Sequence, residues 1–504
     1  MASSSPAQLE IVSYKGGPRI PEEIFGFFAN RGGRSLILRG NAGTGKTTFA
    51  LQVIEDLSAF ERSFYLSTRV SDASLMVQFP WLKDKMERGE TSSRLMPADD
   101  GLEGEEVRSR RRWGLTTLKG VGGAIEEGEA LMSLSIGRDL GELEEVYAVL
   151  DKHLPEKCLV VFDSIDALAE RYGETSARLI LTIQNDVVEG YGSDVLFVLE
   201  SADTQLDYLG DGVLVLRSSD YNTRRIRELE IAKLRGCEIR QPRYLFTLRG
   251  GKIRSFGHDF EEESAVTSPW SAIPDPPDRL SWGIHDMDGL LMGGLEKGTI
   301  ALVELGYGVP AAASAAIENS LVANFVKMSR GVMWIPLRKA SAENARNRLI
   351  GALSKEEFDR HVRIPEKATQ IGDTGERYIM PVEGTTALAD LSWQSLAYSL
   401  KDAGTPFLSL VGFDTMESIY GSHVMDQLTD HLLSIRRNKG VFVGITSPST
   451  SSAHRLADLA TIHVKVDRIG GMAVLYGEKP FTECNAISFE RGERGGGITL
   501  TPIL

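Results

Sequence analysis

Short apolar runs alternate with segments of helical periodicity in the first half of the chain. The runs "SLILR", "SFYLS", "CLVVFD" and "DVLFVLES" are continuous and rich in Val, Ile, Leu and Phe, as in strands that are buried on both faces of a parallel sheet. Between them, "TGKTTFALQVIEDLSAF" and "SARLILTIQNDVVEGY" place apolar residues at helical spacing. This alternation predicts an α/β fold with a mostly parallel, doubly wound sheet, in which ligands bind at the carboxyl ends of the strands.

The second half of the chain repeats this plan. "GGRSLILRGNAGTGKTTFALQV" corresponds to "EKGTIALVELGYGVPAAASAAI", "KCLVVFDSIDAL" to "PFLSLVGFDTMESI", and "YLGDGVLVLR" to "RLADLATIHVKV". The matching segments follow in the same order, about 247 to 265 residues apart. We therefore predict a tandem duplication of one α/β domain.

A proline-rich stretch, "SPWSAIPDPPDRLSWG", separates the two copies, and such stretches make poor cores and good linkers. We expect a first domain at 1–265, a linker at 266–279 and a second domain at 280–504. Residues 86–130 are polar, glycine-containing and weakly periodic. They are predicted to form a surface insertion of the first domain that is partly mobile.

The composition is that of a soluble globular protein, with 504 residues, 42% hydrophobic and 25% charged residues. The net charge is −14, and since neither half is basic, wholesale coating of nucleic acid is disfavoured. The three cysteines lie far apart, which fits a reducing cytoplasm better than a disulfide framework. No signal-peptide pattern or long apolar run is seen, so we expect a cytoplasmic protein that does not cross a membrane.

The segment "GNAGTGKT", residues 40–47, matches the phosphate-binding pattern G-x-x-x-x-G-K-[ST] between a predicted strand and a predicted helix. Its glycines let backbone N–H groups point at phosphate oxygens. Lys46 would place a positive charge on the β- and γ-phosphates, and the hydroxyl of Thr47 would ligate Mg²⁺. The predicted ATP-binding residues are Gly40, Asn41, Ala42, Gly43, Thr44, Gly45, Lys46, Thr47 and Thr48.

A nucleotide site of this kind also needs a carboxylate at the end of a second strand. Asp163 follows the apolar run in "CLVVFDSIDAL" and takes the Walker B position, where it would hold the hydrated Mg²⁺ together with Thr47. Asp166 lies three residues further along. It is interpreted as a surface or helix-capping residue rather than a metal ligand.

These motifs and their order resemble the RecA superfamily, in particular its KaiC-like branch. The resemblance rests on the loop, on Asp163 with "SIDAL", on "YLGDGVLVLR" and "RRIRELEIAKLRG", and in the second half on "RLSWGIHDMDGLLMGGLEKGTIALVE" and "LADLATIHVKVDRIGG". Within this branch, "YLSTRVSDASLMVQFPWL" resembles the archaeal gas-vesicle regulator GvpD and its relatives. The resemblance implies a tandem KaiC-like P-loop ATPase with a regulatory role.

Members of the KaiC-like branch form assemblies in which basic residues of one subunit reach the nucleotide of a neighbour. Their K-x-R-G motif matches Lys233 and Arg235 here, so the resemblance implies a homo-oligomer in which these two side chains act in trans. A cation delivered in trans stabilises charge on the γ-phosphate. The alternative is a sheet edge that charged residues keep soluble.

The chain departs from this branch at the position of the catalytic carboxylates. KaiC-like ATPases place a Glu-Glu pair after the second strand, whereas this chain has Ser67, Thr68 and Arg69 there. Glu200, at the end of "VLFVLES", is the remaining candidate for orienting or activating water, with a sensor or structural role as the alternative. We therefore expect ATP hydrolysis to be slow.

Two arginine clusters lie outside these motifs. "RSRRRW" contains Arg108 to Arg112 and ends at Trp113. It is either a solvated charge run or a docking patch for an acidic protein or nucleic acid, and the GvpD resemblance favours a protein. The second cluster, Arg224, Arg225 and Arg227, is equally consistent with a contact between subunits.

The second copy of the loop lacks the residues that bind phosphate. Aligning "VELGYGVPAA" with the first loop places Leu305 and Pro310 on glycines, and Ala311 and Ala312 on Lys46 and Thr47. Backbone access, charge and metal ligation are lost together. Asp414 remains at the Walker B position. We interpret the second copy as a degenerate domain that keeps the fold without binding ATP.

The sequence therefore predicts a regulatory ATP- and Mg²⁺-binding protein with slow hydrolysis in the first domain. Its work would be nucleotide-dependent binding of a partner protein, with transcriptional regulation as one GvpD-like outcome. The alternatives are a RecA-like DNA repair or recombination ATPase and a scaffold that the nucleotide stabilises. The acidic composition does not favour the first of these.

Overall fold

The chain forms two compact units, each built around one large sheet. The computed structural model describes residues 19–57, 62–68, 72–80, 91–95, 141–201, 204–257, 266, 268–367, 375–489 and 497–504. Unit 1 comprises Met1–Ser219 and Arg227–Ser255, and unit 2 comprises Asp220–Ile226 and Phe256–Leu504.

Unit 1 contains a sheet of nine strands among the described residues, in the order β3-β2-β4-β5-β1-β6-β7-β8-β9. The strands are β1 (Ser35–Gly40), β2 (Arg62–Ser67), β3 (Thr91–Leu95), β4 (Cys158–Asp163), β5 (Asp194–Leu199), β6 (Gly212–Tyr221), β7 (Arg224–Leu234), β8 (Arg243–Thr247) and β9 (Arg254–Phe256). From β3 to β6 every neighbouring pair is parallel, and β7 and β8 are antiparallel.

Helices lie against this sheet, and the apolar side chains of the unit form two clusters. The helices are Glu22–Phe28, Lys46–Leu57, Asp72–Gln78, Gly141–His153, Ile165–Tyr172 and Ser176–Ile183, the last of which continues as a π-helix at Gln184–Gly190. Every residue of β1 and β5 is buried. A strand covered on both faces has no polar side, so these strands read as continuous apolar runs. The predicted α/β fold with mostly parallel strands is confirmed.

Unit 2 contains a sheet of ten strands among the described residues, in the order β15-β14-β13-β16-β17-β12-β18-β19-β20-β21. After the short pair β10 (Arg279–Leu280) and β11 (Leu295–Glu296) come β12 (Ile300–Leu305), β13 (Arg330–Ile335), β14 (Val362–Lys367), β15 (Ile379–Val382), β16 (Gly404–Gly412), β17 (Val441–Thr446), β18 (Ile462–Ile469), β19 (Met472–Lys479), β20 (Asn485–Phe489) and β21 (Ile498–Pro502). Its helices are His285–Leu290, Ala311–Lys327, Ala342–Asn347, Lys355–His361, Ala387–Asp390, Trp393–Ser399, Phe413–Tyr420, Val424–Arg437 and Ala453–Leu459.

The two sheets share one topology. The order β2-β4-β5-β1-β6-β7 of unit 1 corresponds to β13-β16-β17-β12-β18-β19 of unit 2, and the first strand of each large sheet, β1 or β12, lies at its centre. In both units a helix follows that central strand after a short loop. The internal sequence repeat therefore corresponds to a repeated strand order.

Two predicted boundaries need correction. Residues 91–95, inside the predicted insertion, form β3 and pair in parallel with β2, because pairing with a neighbouring strand outweighs a weak local pattern. The rest of 86–130 lies outside the described residues. The predicted linker 266–279 contacts unit 2, since Val266 and Trp270 are buried in its core. Burial of these two apolar side chains keeps the segment packed on unit 2 despite the nearby prolines.

Among the residues that the structure describes, no helix is both long enough and apolar enough to cross a membrane.

A substitution at Gly33, just before β1, tests how closely the chain packs around the central strand of unit 1. A Cβ atom at this position would lie 2.4 Å from the carbonyl oxygen of Ser193. We expect Gly33→Ala to lower the free energy of unfolding by about 1–3 kcal/mol, measured by urea denaturation. Gly26→Ala is the control, because its Cβ meets nothing within 4 Å and alanine favours the helix. Equal stability of the two variants would contradict the packing described.

Candidate functional site

A tight glycine-rich loop follows the central strand of unit 1. β1 ends at Gly40 and the next helix begins at Lys46, so five residues make the turn. Gly43 and Gly45 have φ of 76° and 99°, which side chains disfavour. A Cβ on Gly40 would lie 2.4 Å from the carbonyl oxygen of Leu216, and one on Gly45 would lie 3.0 Å from the side chain of Leu248. Glycine is therefore required at these positions for steric reasons.

Lys46 is buried and folds back over this loop. Its Nζ donates hydrogen bonds to the carbonyl oxygens of Gly40 at 2.8 Å and Asn41 at 2.9 Å. Lys46, Thr47 and Thr48 form the first turn of the helix Lys46–Leu57, where the helix dipole and the backbone N–H groups favour an anion. A buried ammonium group at a helix N-terminus is suited to binding phosphate.

Asp163 at the end of β4 lies next to the start of the same helix. Its carboxylate accepts a hydrogen bond of 2.7 Å from the hydroxyl of Tyr65. Burial raises the pKa of the Asp163 carboxyl, whereas the hydroxyls of Tyr65 and Thr47 and the charge of Lys46 lower it. Tyr65 is fully buried, and burial raises its pKa well above the usual range. The hydroxyl and the carboxylate predicted to hold Mg²⁺ are thus neighbours.

Thr68 and Glu200 lie near Asp163 and interact with it in different ways. The hydroxyl of Thr68 accepts a hydrogen bond from Ser164 N at 3.0 Å, and Thr68 N donates to the carbonyl oxygen of Asp163 at 2.9 Å. Thr68 therefore joins the ends of β2 and β4. Glu200 follows β5, and its negative charge contributes to the raised pKa of Asp163. Its backbone N–H donates to Asp166 at 2.7 Å, so Asp166 is bonded to the end of β5.

Lys233 and Arg235 lie near the amino end of β6, at the opposite end of the strands from the loop. Lys233 Nζ donates to the carbonyl oxygen of Gly210 at 2.5 Å, and Arg235 pairs with Asp211 at 3.2 Å. These partners immediately precede β6, which pairs with β1 from Gly212 at its start to Leu216 beside Gly40. Four residues of strand correspond to about 13 Å. The two side chains are therefore remote from the loop of their own chain.

The predicted arginine cluster at 224–227 divides between two environments. Arg227 is buried, and its Nη1 donates to the carbonyl oxygen of Gly43 in the loop at 3.0 Å. Arg224 belongs to unit 2, where it donates to the carbonyl oxygen of Gly477 at 2.7 Å and lies over the ring of Phe481. Arg225 is exposed. The cluster at 108–113 and Arg69 lie outside the described residues.

Tyr65 and Arg227 are the site residues that sequence reasoning missed. Tyr65 sits within a strand that reads as an ordinary apolar run, and Arg227 reads as one of several arginines. Parallel pairing of β2 with β4 sets Tyr65 two residues before the level of Asp163. The alternation of a strand places Arg227 on the same side of β7 as the buried Leu229 and Ile231. This periodicity is the one signal that the sequence carries.

The corresponding loop of unit 2 has the same length but different residues. β12 ends at Leu305 and the next helix begins at Ala311, so five residues again make the turn. The helix starts with Pro310 as its N-cap and has no side-chain cap. A Cβ on Gly306 would lie 1.9 Å from Oδ1 of Asp467. The carboxylate of Asp467 therefore lies against the start of this loop, and the guanidinium of Arg468 lies near Gly308.

Asp467 is held in that position by tyrosine hydroxyls of unit 2. Its Oδ2 accepts hydrogen bonds from Tyr476 at 2.5 Å and from Tyr221 at 3.0 Å. Asp414, at the position equivalent to Asp163, accepts hydrogen bonds from the backbone N–H of Arg338 and of Thr415, both at 2.8 Å. The acidic residues of this edge are engaged with other groups of unit 2.

Comparison with known proteins agrees with the fold and the loop. The circadian clock oscillator protein KaiC of Thermostichus vulcanus is 27% identical over 59% of this chain and 54% of its own length. The chain has a central strand, a glycine-rich loop and a helix in a mostly parallel sheet. Together with this likeness to KaiC, the fold identifies the chain as a homologue of RecA-superfamily P-loop ATPases.

The family within that class follows from matches over most of the chain. Residues 24–232 match the P-loop domain of the GvpD gas vesicle protein, and residues 269–504 match GvpD basic region 2. Protein GvpD2 of Halobacterium salinarum is 25% identical over 98% of both chains. Protein GvpD1 of the same organism is 23% identical over 97% of this chain and 98% of its own. The chain belongs to the GvpD family.

The hydrogen bond between Tyr65 and Asp163 gives a stability test of the site. Tyr65→Phe removes a donor from a carboxylate that burial already disfavours, so we expect a loss of about 1–2 kcal/mol at pH 7 by urea denaturation. Because the folded-state pKa of Asp163 is raised, its contribution to stability is present below the unfolded-state pKa and is lost as the pH rises through the folded-state pKa. Tyr65→Phe raises the folded-state pKa of Asp163 further.

The destabilisation by Tyr65→Phe should therefore shrink as the pH is lowered and Asp163 becomes protonated. Tyr398→Phe is the matched control, because Tyr398 is 75% exposed, and it should change stability by less than about 0.5 kcal/mol. A loss for Tyr65→Phe that is constant with pH would show that the hydroxyl does not act on an ionised Asp163.

Proposed function

We propose that the chain is an ATP-binding regulatory protein with one nucleotide site, located in unit 1. The observation that carries this proposal is the convergence of Lys46, Thr47 and Asp163 at the carboxyl end of the central strands. Doubly wound sheets bind ligands at this edge. The glycine-rich loop, the helix N-terminus and Lys46 supply the donors and charge that phosphates need.

The residues present fit Mg·ATP. A side chain at Gly40 would collide with a backbone carbonyl, and one at Gly45 would crowd Leu248 and strain a positive φ, so the turn keeps its backbone open for phosphate. Lys46 would exchange its carbonyl partners for phosphate oxygens. Thr47 and Asp163 would hold Mg²⁺, Asp163 in its ionised form. When bound, the metal neutralises charge that develops on the β- and γ-phosphates.

Hydrolysis is proposed to be slow. The position of the catalytic Glu-Glu pair holds Ser67 and Thr68, and the Thr68 hydroxyl is engaged with the backbone at Ser164. Glu200 is the candidate that would orient water, since its charge acts on Asp163. A protein that hydrolyses slowly remains in its ATP state for long enough to signal that state.

Lys233 and Arg235 are proposed to act on the nucleotide of a second copy. They lie about 13 Å along the strands from their own loop, so only another subunit can bring them to a phosphate. Burial and the neighbouring charge of Arg235 lower the pKa of Lys233. A nucleotide between two subunits would link ATP binding to assembly.

Unit 2 is proposed to be a degenerate domain without a nucleotide. Ala311 and Ala312 stand where the first loop has lysine and threonine, and Pro310 removes an N–H donor. The carboxylate of Asp467 against Gly306 adds a negative charge where phosphate would bind. Unit 2 then contributes shape and surface to the protein.

The proposed biological role is regulation connected with gas vesicles, through nucleotide-dependent binding of a partner protein. It is supported by the match to the GvpD gas vesicle protein over both halves of the chain. The test is retention of host proteins by the ATP-loaded and ADP-loaded protein and by Lys46→Ala. Retention that depends on ATP and on Lys46 supports the role, and equal retention in all three contradicts it. Stimulation of ATP hydrolysis by DNA would favour a repair or recombination ATPase instead.

Lys46→Ala should abolish the binding of Mg·ATP, because it removes the cation of the loop. In the parent protein, 100 times the Kd of Mg·ATP should add about 2.7 kcal/mol of stability, seen as a rise in melting temperature. The variant should show no such rise. Lys152→Ala, which removes an exposed lysine of the helix Gly141–His153, should behave as the parent does. A parent-like shift in Lys46→Ala would refute the assignment of the site.

Restoring lysine and threonine to unit 2 should not create a second site. In Ala311→Lys/Ala312→Thr, Pro310 and the carboxylate of Asp467 still oppose phosphate. Calorimetric titration should therefore give one Mg·ATP per chain in the parent and in this variant. Two equivalents in the parent would contradict the degenerate assignment. A second equivalent only in the variant would show that lysine and hydroxyl alone were missing.

A further inference from the structure

The apex of the glycine-rich loop in unit 1 is exposed. Asn41, Ala42 and Gly43 are all exposed, and a Cβ on Gly43 would meet nothing within 4 Å among the described residues. Bonds within the loop converge on Asn41, whose carbonyl oxygen accepts from the hydroxyl of Thr44 at 2.8 Å and from Lys46 at 2.9 Å. Gly43 lies within the turn that these bonds close and has the conformational freedom of glycine.

Arg227 reaches this apex from a rigid strand. Its Nη1 donates to the carbonyl oxygen of Gly43 at 3.0 Å, and its side chain is only 8% exposed. Leu229 and Ile231, on the same side of β7, pack in one apolar cluster with Phe49 of the helix that follows the loop. The strand and the helix are therefore fixed relative to each other, and the guanidinium is anchored on that common core.

The direction of this hydrogen bond matters for phosphate binding. In a trans peptide unit the C=O and N–H groups point in opposite directions. A donor that holds the Gly43 carbonyl therefore also fixes the direction of the Thr44 N–H, which points into the turn and donates to the carbonyl oxygen of Asn41 at 3.4 Å. Because guanidinium stays charged at all relevant pH values, the hydrogen bond is charge-assisted and strong.

We infer that Arg227 is a positioning residue that holds the glycine-rich loop in its phosphate-binding conformation through the carbonyl of Gly43. The inference rests on the proposed nucleotide site, and it adds a residue outside the loop sequence to it. Arg227 acts through the backbone of the loop and lowers the cost of ordering that loop when phosphate binds. Loss of Arg227 should therefore weaken the binding of every ligand that uses the loop by a similar factor.

The test compares Arg227→Ala and Arg227→Lys with the parent and with Arg225→Ala. Arg225 is the matched control, since it lies two residues away on the same strand and is exposed. Titration with Mg·ATP and with Mg·tripolyphosphate measures binding with and without the nucleoside. Amide hydrogen exchange without ligand measures the order of residues 41–45 directly.

Arg227→Ala should weaken both ligands by a similar factor of about ten or more, which is about 1.4 kcal/mol. Arg227→Lys should recover part of this loss, and Arg225→Ala should stay within about twofold of the parent. Exchange in Arg227→Ala should accelerate at residues 41–45 and remain unchanged in β1 and β4. If the alanine variant is unstable, the lysine variant carries the same comparison.

Unchanged affinity and exchange in Arg227→Ala would overturn the inference. Loss of ATP binding with unchanged tripolyphosphate binding would also overturn it, because Arg227 would then contact the nucleoside. If the parent itself binds neither ligand, the proposed nucleotide site fails. The exchange experiment still decides whether Arg227 orders the loop.

Discussion

The candidate site depends on one constraint, a five-residue turn that joins two buried elements. β1 is buried along its whole length and the following helix is largely buried, so the ends of the turn cannot move to accommodate side chains. Gly40 lies against the carbonyl oxygen of Leu216 on β6. The turn therefore exposes its backbone at the edge where β4 delivers Asp163. The helix start, Lys46 and the carboxylate all follow from the placement of these two strands.

Unit 2 shows that this turn can persist with different side chains. Its central strand, loop length and helix match those of unit 1, yet Asp467 lies against the loop. The register explains the difference in charge. Val466 pairs with Leu305 and Leu216 pairs with Gly40, so Asp467 occupies the position that Arg217 has in unit 1. In unit 1, Arg217 is paired with Glu230 at 2.7 Å, whereas in unit 2 Asp467 lies against the start of the loop.

Much of the fold could be predicted from the sequence because buried parallel strands leave a clear pattern. The apolar runs become β1, β2, β4 and β5, since a strand covered on both faces has no polar positions. β3 could not be predicted, because "TSSRL" is polar and forms a strand only beside β2. The buried position of Trp270 was hidden by the prolines that follow it.

The site was predictable where a short motif marks its residues, as one does for the loop and another for Asp163. The glycine-rich loop is one short motif with a stated geometry, so its residues can be read directly. The bond from Tyr65 to Asp163 spans 98 residues, and that from Arg227 to Gly43 spans 184. Such contacts are created by strand order, which periodicity does not specify. Lys233 illustrates the converse, because a recognisable motif lies away from the loop of its own chain.

The central claim is that phosphate binds at one of two similar turns. A structure of the full-length protein determined with Mg²⁺ and a non-hydrolysable ATP analogue tests it most directly. We expect phosphate density against residues 40–48, with Lys46 moved from the carbonyl oxygens of Gly40 and Asn41 to the phosphates, and none against residues 306–312. Density at the second turn, or its absence from the first, would contradict the claim.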